Sequence, residues 1–241
     1  MNSSSLDVFM KNYEDAANSR DFNKVQKFVS DDARSLVRRI QQEFGVTAII
    51  VSHDPSDIFS LAEEVAVIAK GDLIQVATPK ELYERPKNLK VAGSLGDINI
   101  LDGKIIQSEG KYDLEITGLA TVKGLIDSVE DLPGSIKVGI RPEDIVLVPK
   151  KRPLTDFSES KNTEDVLENL GDLTVDSSNY SQGTFLISLL YGVGKYRING
   201  ISREALLSGE ILTIFAKRNK IKLFNSDSGD FIDVTAKLIE N

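Results

Sequence analysis

Apolar residues recur at helical spacing through the first 44 positions, and the period then changes abruptly. Leu6, Phe9, Met10, Tyr13 and Ala17 follow one helical stripe with Ser5 as N-cap, and Asp21 caps a second short helix carrying Phe22, Val25 and Val29. A third stripe is the clearest: Ala33, Leu36, Val37, Ile40 and Phe44 stand at i, i+3, i+4, i+7 and i+11. Arg34, Arg38, Arg39, Gln41 and Gln42 lie off it, which predicts a solvated basic face. Gly45 sits where a helix needs a left-handed residue to stop. The unbroken run from Thr47 to Ser52 then reads as a strand buried on both faces, of the kind found inside parallel sheets. It ends at His53-Asp54-Pro55, and His53 is the single histidine of the chain. In open α/β sheets ligands bind beyond the carboxyl ends of strands, so His53 has a functional address.

Beyond His53, the run from Pro55 to Ala62 fits a short helix with proline in its first turn. Val65–Ala69 and Leu73–Ala77 flank Lys70-Gly71-Asp72 and read as a hairpin. Thr78 with Glu81 forms a capping box, with Pro79 opening a helix through about Tyr83. From Ile98 the texture becomes short strands separated by glycine and polar turns. They are expected over Ile98–Leu101, Lys104–Ser108, Tyr112–Ile116, Ala120–Val122, Ser135–Ile140, Ile145–Val148, Leu173–Val175, Thr184–Leu190, Lys195–Ile198, Ile211–Ala216 and Ile221–Phe224. So many close strands argue for a small β-barrel or a pair of barrels. The polar stretch from Lys150 to Asn169 is expected as a long exposed loop or a short solvated helix. Tyr112, Tyr180, Tyr191 and Tyr196 are expected in core and cross-strand pairs.

Composition narrows the chemistry. The 241 residues are 41% hydrophobic and 27% charged, the balance of an ordinary globular protein. A formal net charge of -8 argues against a surface built to neutralise nucleic-acid phosphates. No run approaches the ~18 apolar residues of a membrane-spanning helix, and the start Met-Asn-Ser-Ser-Ser has no signal-peptide pattern, so a cytoplasmic chain is expected. The absence of cysteine removes disulfides, thiolate nucleophiles and cysteine-based zinc sites. A lone histidine excludes a multi-histidine metal centre, and no metal role is assigned to any residue.

The block from Ala33 through Gly45 to His53-Asp54 resembles the last part of ABC-transporter ATPase domains, where a helix leads into the strand that ends in the switch histidine. The resemblance continues through Ser60–Pro79 and Leu82–Pro86, in the wording of importer ATPases for sugars, the maltose and archaeal glucose type. Val138-Gly139-Ile140-Arg141-Pro142-Glu143-Asp144-Ile145 resembles the motif of their C-terminal oligonucleotide/oligosaccharide-binding-like (OB-like) regulatory domain, called TOBE. The resemblance spans about Asp31 to Phe224 and implies three segments. These are an unmatched helical stretch over 1–30, the C-terminal part of an ATPase domain over 31–95, and an all-β OB-like barrel domain over 96–241. The fold class expected is thus a partial α/β domain followed by an all-β barrel.

The resemblance implies that His53 is a catalytic switch residue contacting the γ-phosphate of ATP. Arg141, Glu143 and Asp144 are candidates for a regulatory or ligand-binding patch, set against their reading as a charged turn fixed by Pro142. Transmembrane subunits, a second ATPase subunit and a second copy of the chain in a homodimer are the implied partners, at the inner face of the cell membrane without direct insertion. A phosphate-cradling Gly-x-x-x-x-Gly-Lys-Ser/Thr loop is absent from the sequence: Gly103-Lys104, Gly110-Lys111 and Gly194-Lys195 are each followed by Ile or Tyr. No Walker B aspartate or signature sequence precedes the helix at Asp31, and Leu207-Ser208-Gly209-Glu210 imitates the signature from within the strand-rich half, as a turn. Phosphoryl transfer rests on those missing parts, so no ATP hydrolysis is expected of this chain alone. ATP and magnesium are cofactors of the full-length family, and none is expected here. The alternative is a stand-alone OB-like module that binds a small ligand or a protein partner.

Overall fold

The computed structural model describes residues 33–39, 41–108, 111–126, 133–150, 166–181 and 183–234. The helices expected over Leu6–Ala17 and Phe22–Val29 lie outside the described residues. The chain divides into two compact units between Glu81 and Leu82.

In the first unit, residues 33–39 and 41–44 are helical, as their apolar stripe predicts. Gly45 leaves the helix at φ +59°, a conformation in which a Cβ would be strained. The next segment departs from expectation. Residues 46–52 form no strand, and Ile49 and Val51 are 91% and 98% exposed. A strand buried on both faces needs ladder partners on both edges, and no described strand of this unit lies beside it. Helix α1 follows over Pro55–Leu61, with the Asp54 carboxylate accepting from the Ser56 amide at 2.8 Å as N-cap. Strands β1 (Val65–Ala69) and β2 (Asp72–Ala77) pair as the expected antiparallel hairpin. Helix α2 (Pro79–Glu84) opens with the predicted capping box: Thr78 Oγ1 accepts from the Glu81 amide at 3.3 Å, and Glu81 Oε2 accepts from the Thr78 amide at 3.1 Å.

The second unit opens with the short helix α3 (Leu89–Ser94), which lacks a periodic stripe long enough to be read from sequence. Its Asn88 cap accepts from the Lys90 and Val91 amides at 3.1 Å. Because Leu82, Val91, Ala92 and Leu95 are all buried in this unit, the division between units falls upstream of the boundary near residue 95 drawn from sequence.

Eleven further strands make two antiparallel sheets. One, in the order β13-β12-β6-β3-β4-β5, contains β3 (Asn99–Ser108), β4 (Lys111–Ile116), β5 (Thr121–Ile126), β6 (Ile136–Ile140), β12 (Lys222–Asn225) and β13 (Phe231–Ile232). The other, in the order β10-β9-β8-β11-β7, contains β7 (Ile145–Pro149), β8 (Leu167–Ser181), β9 (Thr184–Tyr191), β10 (Tyr196–Ser202) and β11 (Ile211–Lys217). The strands expected separately at 98–101 and 104–108 are one strand, β3. Of the expected loop from Lys150 to Asn169, residues 151–165 lie outside the described residues, and residues 167–169 already belong to β8. That strand is long because its first half pairs with β11 and its second half with β9.

The inward phase of each strand fills one core shared by the two sheets. Leu114, Ile116, Ile136, Val138 and Ile140 come from one side, and Ile187, Leu189, Ile198, Leu212 and Ile214 from the other, all below 2% exposed. At about 25 cal/mol per Å² of apolar surface removed from water, this burial is the principal stabilising term of the unit. The five-stranded sheet curls until its edge strands meet, with Leu147 of β7 against Gly200 of β10. Asn99 ties the two sheets together in the manner of a ladder rung: its amide nitrogen donates to the Asn199 carbonyl at 2.9 Å, and its Oδ1 accepts from the Asn199 amide at 2.8 Å. Arg218 adds a second tie, pairing with Glu168 on β8 and donating to the Gly124 and Lys123 carbonyls on β5. Tyr191 and Tyr196 stack across β9 and β10 at 5.3 Å, as cross-strand pairing predicts.

At Gly139 an added Cβ would lie 2.8 Å from Phe224 Cε2 and 2.9 Å from Ile98 Cδ1. Gly139→Ala is therefore expected to destabilise the second unit by about 1–3 kcal/mol through over-packing, read as a lower urea midpoint with unchanged slope.

Candidate functional site

His53 lies in the first unit, and Arg141, Glu143 and Asp144 lie in the second, so two places are described separately. His53 is exposed, on a bend between the segment 46–52 and α1. Its position is held by its neighbours rather than by a strand. Ser52 Oγ donates to Asp57 Oδ2 at 2.6 Å and accepts from the Asp54 amide at 3.1 Å. Arg34, on the preceding helix, donates to Asp57 Oδ1 at 2.6 Å and to Asp54 Oδ2 at 3.1 Å. Arg38 donates to the Ser60 carbonyl at 3.1 Å. The expected solvated basic face is thus corrected for Arg34, whose side chain is 16% exposed and turned toward the 52–60 segment, while Arg38 and Arg39 are exposed as expected. The hydrogen bond from Ser52, then that from Arg34, holds the Asp57 carboxyl below its ordinary value of 3.8.

In the second unit, β6 delivers Arg141 to the start of a 3-10 turn over Pro142–Asp144. Proline fixes the backbone there, and the Asp144 amide closes the turn on the Arg141 carbonyl at 3.0 Å. Arg141 is 1% exposed. Its Nη2 donates to the Ala92 carbonyl and its Nη1 to the Asp97 carbonyl, both at 3.2 Å. These are the free carbonyls at and beyond the end of α3, where a cation is favoured by the helix dipole. The guanidinium also lies 3.7 Å from the centroid of the Tyr83 ring, and the Tyr83 hydroxyl donates to Glu143. Burial, reinforced by the bond to Glu143, pushes the Tyr83 hydroxyl pKa upward.

Arg141 and Glu143 are therefore brought together around Tyr83, and Arg141 clamps α3 to the sheet. The link between α2 and α3 is stapled as well, by Arg85 to Asp233, by the Leu89 amide to the Gly229 carbonyl at 3.0 Å and by the Phe231 amide to the Lys87 carbonyl at 2.9 Å. Asp144 lies apart from this clamp and faces Lys217, Lys220 and Lys222. Burial, then the Glu143 charge, raises its pKa in spite of those cations.

Sequence reasoning did not single out Tyr83 or Lys222, and it read Arg34 only as part of a solvated face. Lys222 could have been noticed, because it occupies the phase of β12 shared with buried Phe224.

An open depression of about 430 Å³ lies between the 118–119 turn, β8 and the 190–194 turn. Its carboxylate, Asp172, is already engaged by Lys150 at 2.6 Å and Thr213 at 2.7 Å, which lower its pKa. The Leu207–Glu210 sequence is a turn leading into β11, with the Gly209 amide on the Val175 carbonyl at 2.8 Å, as its place in the strand-rich half predicts. No helix among the described residues is long and apolar enough to cross a membrane.

Two outcomes follow from this geometry. Arg141→Met is expected to lower the stability of the second unit by about 1.5–3 kcal/mol, the range for hydrogen bonds to a charged group, and to speed amide exchange over 89–97, measured by denaturation and hydrogen exchange. Because the folded Asp57 pKa is depressed, its contribution to stability is present above the unfolded value near 3.8 and is lost as pH falls through the folded pKa. NMR titration of the carboxyl groups is expected to place Asp57 below 3.8 in the native chain and to move it upward in Arg34→Ala.

No family model matches the chain. Curated relatives do. The glucose import ATP-binding protein GlcV of Saccharolobus solfataricus is 31% identical over 211 residues, covering 86% of this chain and 53% of that protein. The Fe(3+) ions import ATP-binding protein FbpC of Vibrio cholerae is 34% identical over 115 residues, covering 47% of this chain and 31% of that protein. The spermidine/putrescine import ATP-binding protein PotA of Oleidesulfovibrio alaskensis is 36% identical over 118 residues, covering 46% of this chain and 30% of that protein. Among solved structures, the cytoplasmic molybdate-binding protein ModG aligns at a TM-score of 0.34 and 12% identity, over 52% of this chain and 94% of that one. The chain spans about half the length of GlcV, and it is related to the ATP-binding proteins of ABC importers.

Proposed function

We propose that this chain is the C-terminal portion of the ATP-binding subunit of an ABC solute importer, with a sugar as the solute, and that it does not hydrolyse ATP by itself. The observation that carries the reading is the segment 46–53. Its apolar side chains suit a strand inside a sheet, yet Ile49 and Val51 are almost wholly exposed, while the His53 turn beyond it is already braced by Ser52, Arg34, Asp54 and Asp57. That combination fits a switch histidine held ready beside a parallel sheet supplied by an ATP-binding core. The similarity to GlcV favours a sugar over the iron and polyamine cargoes named for FbpC and PotA.

On this reading residues 31–95 are ATPase-derived and 96–241 form the OB-like regulatory domain. The curling of the five-stranded sheet until β7 meets β10 supports a barrel of that kind. His53 contacts the γ-phosphate in the assembled subunit, and Arg141 and Glu143 shape the regulatory domain. The partners are transmembrane subunits and a second ATP-binding subunit, at the inner face of the membrane.

Calorimetry of this chain with Mg-ATP tests the proposal. No saturable heat is expected, because no phosphate-cradling loop is present in the sequence. Tight Mg-ATP binding by this chain would overturn the reading.

A further inference from the structure

The depression of about 430 Å³ on the second unit falls within the ~300–1,000 Å³ typical of small-molecule sites. One of its walls, the turn that joins β9 to β10, is built under strain. Gly192, Val193 and Gly194 all take left-handed backbone, at φ +58°, +58° and +76°, and a β-branched valine is disfavoured there. Val193 is fully exposed, so no packing of its side chain offsets that cost. The turn is shaped instead by its neighbours. A Cβ on Gly192 would lie 2.8 Å from Tyr196 Cδ2, so glycine there lets the turn rest against the tyrosine ring, and the Gly118 turn meets it in ordinary contact.

The groups around the depression are balanced in charge but not in hydrogen bonding. Asp172 is the one residue lining it that bears charge, and Lys150 neutralises it at 2.6 Å while Thr213 donates to its other oxygen at 2.7 Å. The two bonds fix the carboxylate in place, and each of its oxygens keeps a lone pair that can accept from a ligand. Close by, Lys195 lies over the Tyr196 ring at 5.1 Å and Arg197 pairs with Asp176 at 3.1 Å. Two hydroxyls at the depression, by contrast, have no hydrogen-bond partner among the described residues. One is that of Thr174, on the outward phase of β8 between buried Leu173 and Val175. The other is that of Tyr191, which is only 8% exposed, although a buried tyrosine ordinarily finds a partner for its hydroxyl. Burial, then the Asp102 charge, raises the Tyr191 pKa, so the hydroxyl keeps its proton and can donate. Leu119, Leu190 and Val193 contribute apolar surface among these groups.

We propose that this depression binds a neutral polyhydroxylated ligand, a monosaccharide ring, with Asp172 accepting from its hydroxyls and Thr174 and Tyr191 exchanging hydrogen bonds with it. A sugar hydroxyl both donates and accepts, which suits a fixed carboxylate set beside two unpartnered protein hydroxyls. The C–H face of the ring suits the leucine and valine surface. An anion would meet the Asp172 charge without a free cation to receive it, and a cation would have to displace Lys150. A wholly apolar molecule would bury the Thr174 and Tyr191 hydroxyls unpaired, at a cost that a sugar avoids. The site goes beyond the transport reading and is tested separately from it, since every residue involved lies in the second unit and no nucleotide takes part.

D-glucose is the probe, titrated into the isotopically labelled full chain and followed by amide NMR, with glycerol and sodium phosphate as comparison solutes. Saturable shifts are expected at residues 118–119, 171–174 and 190–194, with glycerol binding more weakly and phosphate not competing. Tyr191→Phe keeps the ring and its stack on Tyr196, and Thr174→Val keeps the side-chain shape. Each is expected to weaken glucose about threefold to tenfold, the loss of one hydrogen bond, with an unchanged urea midpoint. The proposal is overturned if glucose gives no saturable shifts or binds no better than glycerol, if the shifts lie away from these residues, if phosphate displaces it, or if both variants bind it as the parent chain does.

Discussion

A β-strand is stable only when its backbone groups find ladder partners and its apolar faces find cover, and this one requirement separates the two units of the chain. In the second unit every described strand has at least one ladder partner. The strands alternate inward and outward side chains, every sheet neighbour is antiparallel, and the two inward faces close on a single core. In the first unit the most apolar stretch, 46–52, has neither ladder nor cover among the described residues. Its sequence has the character of a sheet interior, and the helix before it and the helix after it are formed and joined by Arg34. No described strand of the unit pairs with the segment between them.

Arg141 shows how one buried ion organises its surroundings. Its guanidinium can remain inside only because α3 ends with free carbonyls and because a tyrosine ring lies against it. The same side chain that anchors α3 keeps one buried nitrogen, Nε, without a hydrogen-bond acceptor.

Local chemistry was legible in the residues wherever a short-range rule decides the outcome. The capping box at Thr78 and Glu81, the hairpin around Lys70 and Gly71, the stop at Gly45 and the proline-opened helix at Pro55 each depend on a few adjacent residues, and each is present. The alternation of β9 and β11 likewise fixed which side chains face inward. Two elements escaped notice for physical reasons: α3 is too short to show a period, and β13 has only two residues, held in place by β12. At the candidate sites, the pattern picked out His53 and Arg141, but not the groups that hold them, because Arg34 and Tyr83 are distant in sequence from what they contact.

The sequence by itself determined the local turns and caps, the helical residues 33–39 and 41–44, most strands and the motifs that identify relatives, since these depend on spacing and side-chain type within a few residues. Tertiary structure alone decided three things. Which strands become neighbours depends on closing a shared core, so β3 emerged as one strand and β8 came to serve two partners. Whether an apolar run becomes a strand depends on partners far along a chain, so 46–52 remained uncovered. Whether a charge is a solvated ornament or a buried clamp depends on what packs above it, so Arg34 and Arg141 acquired roles that their positions in the sequence did not announce.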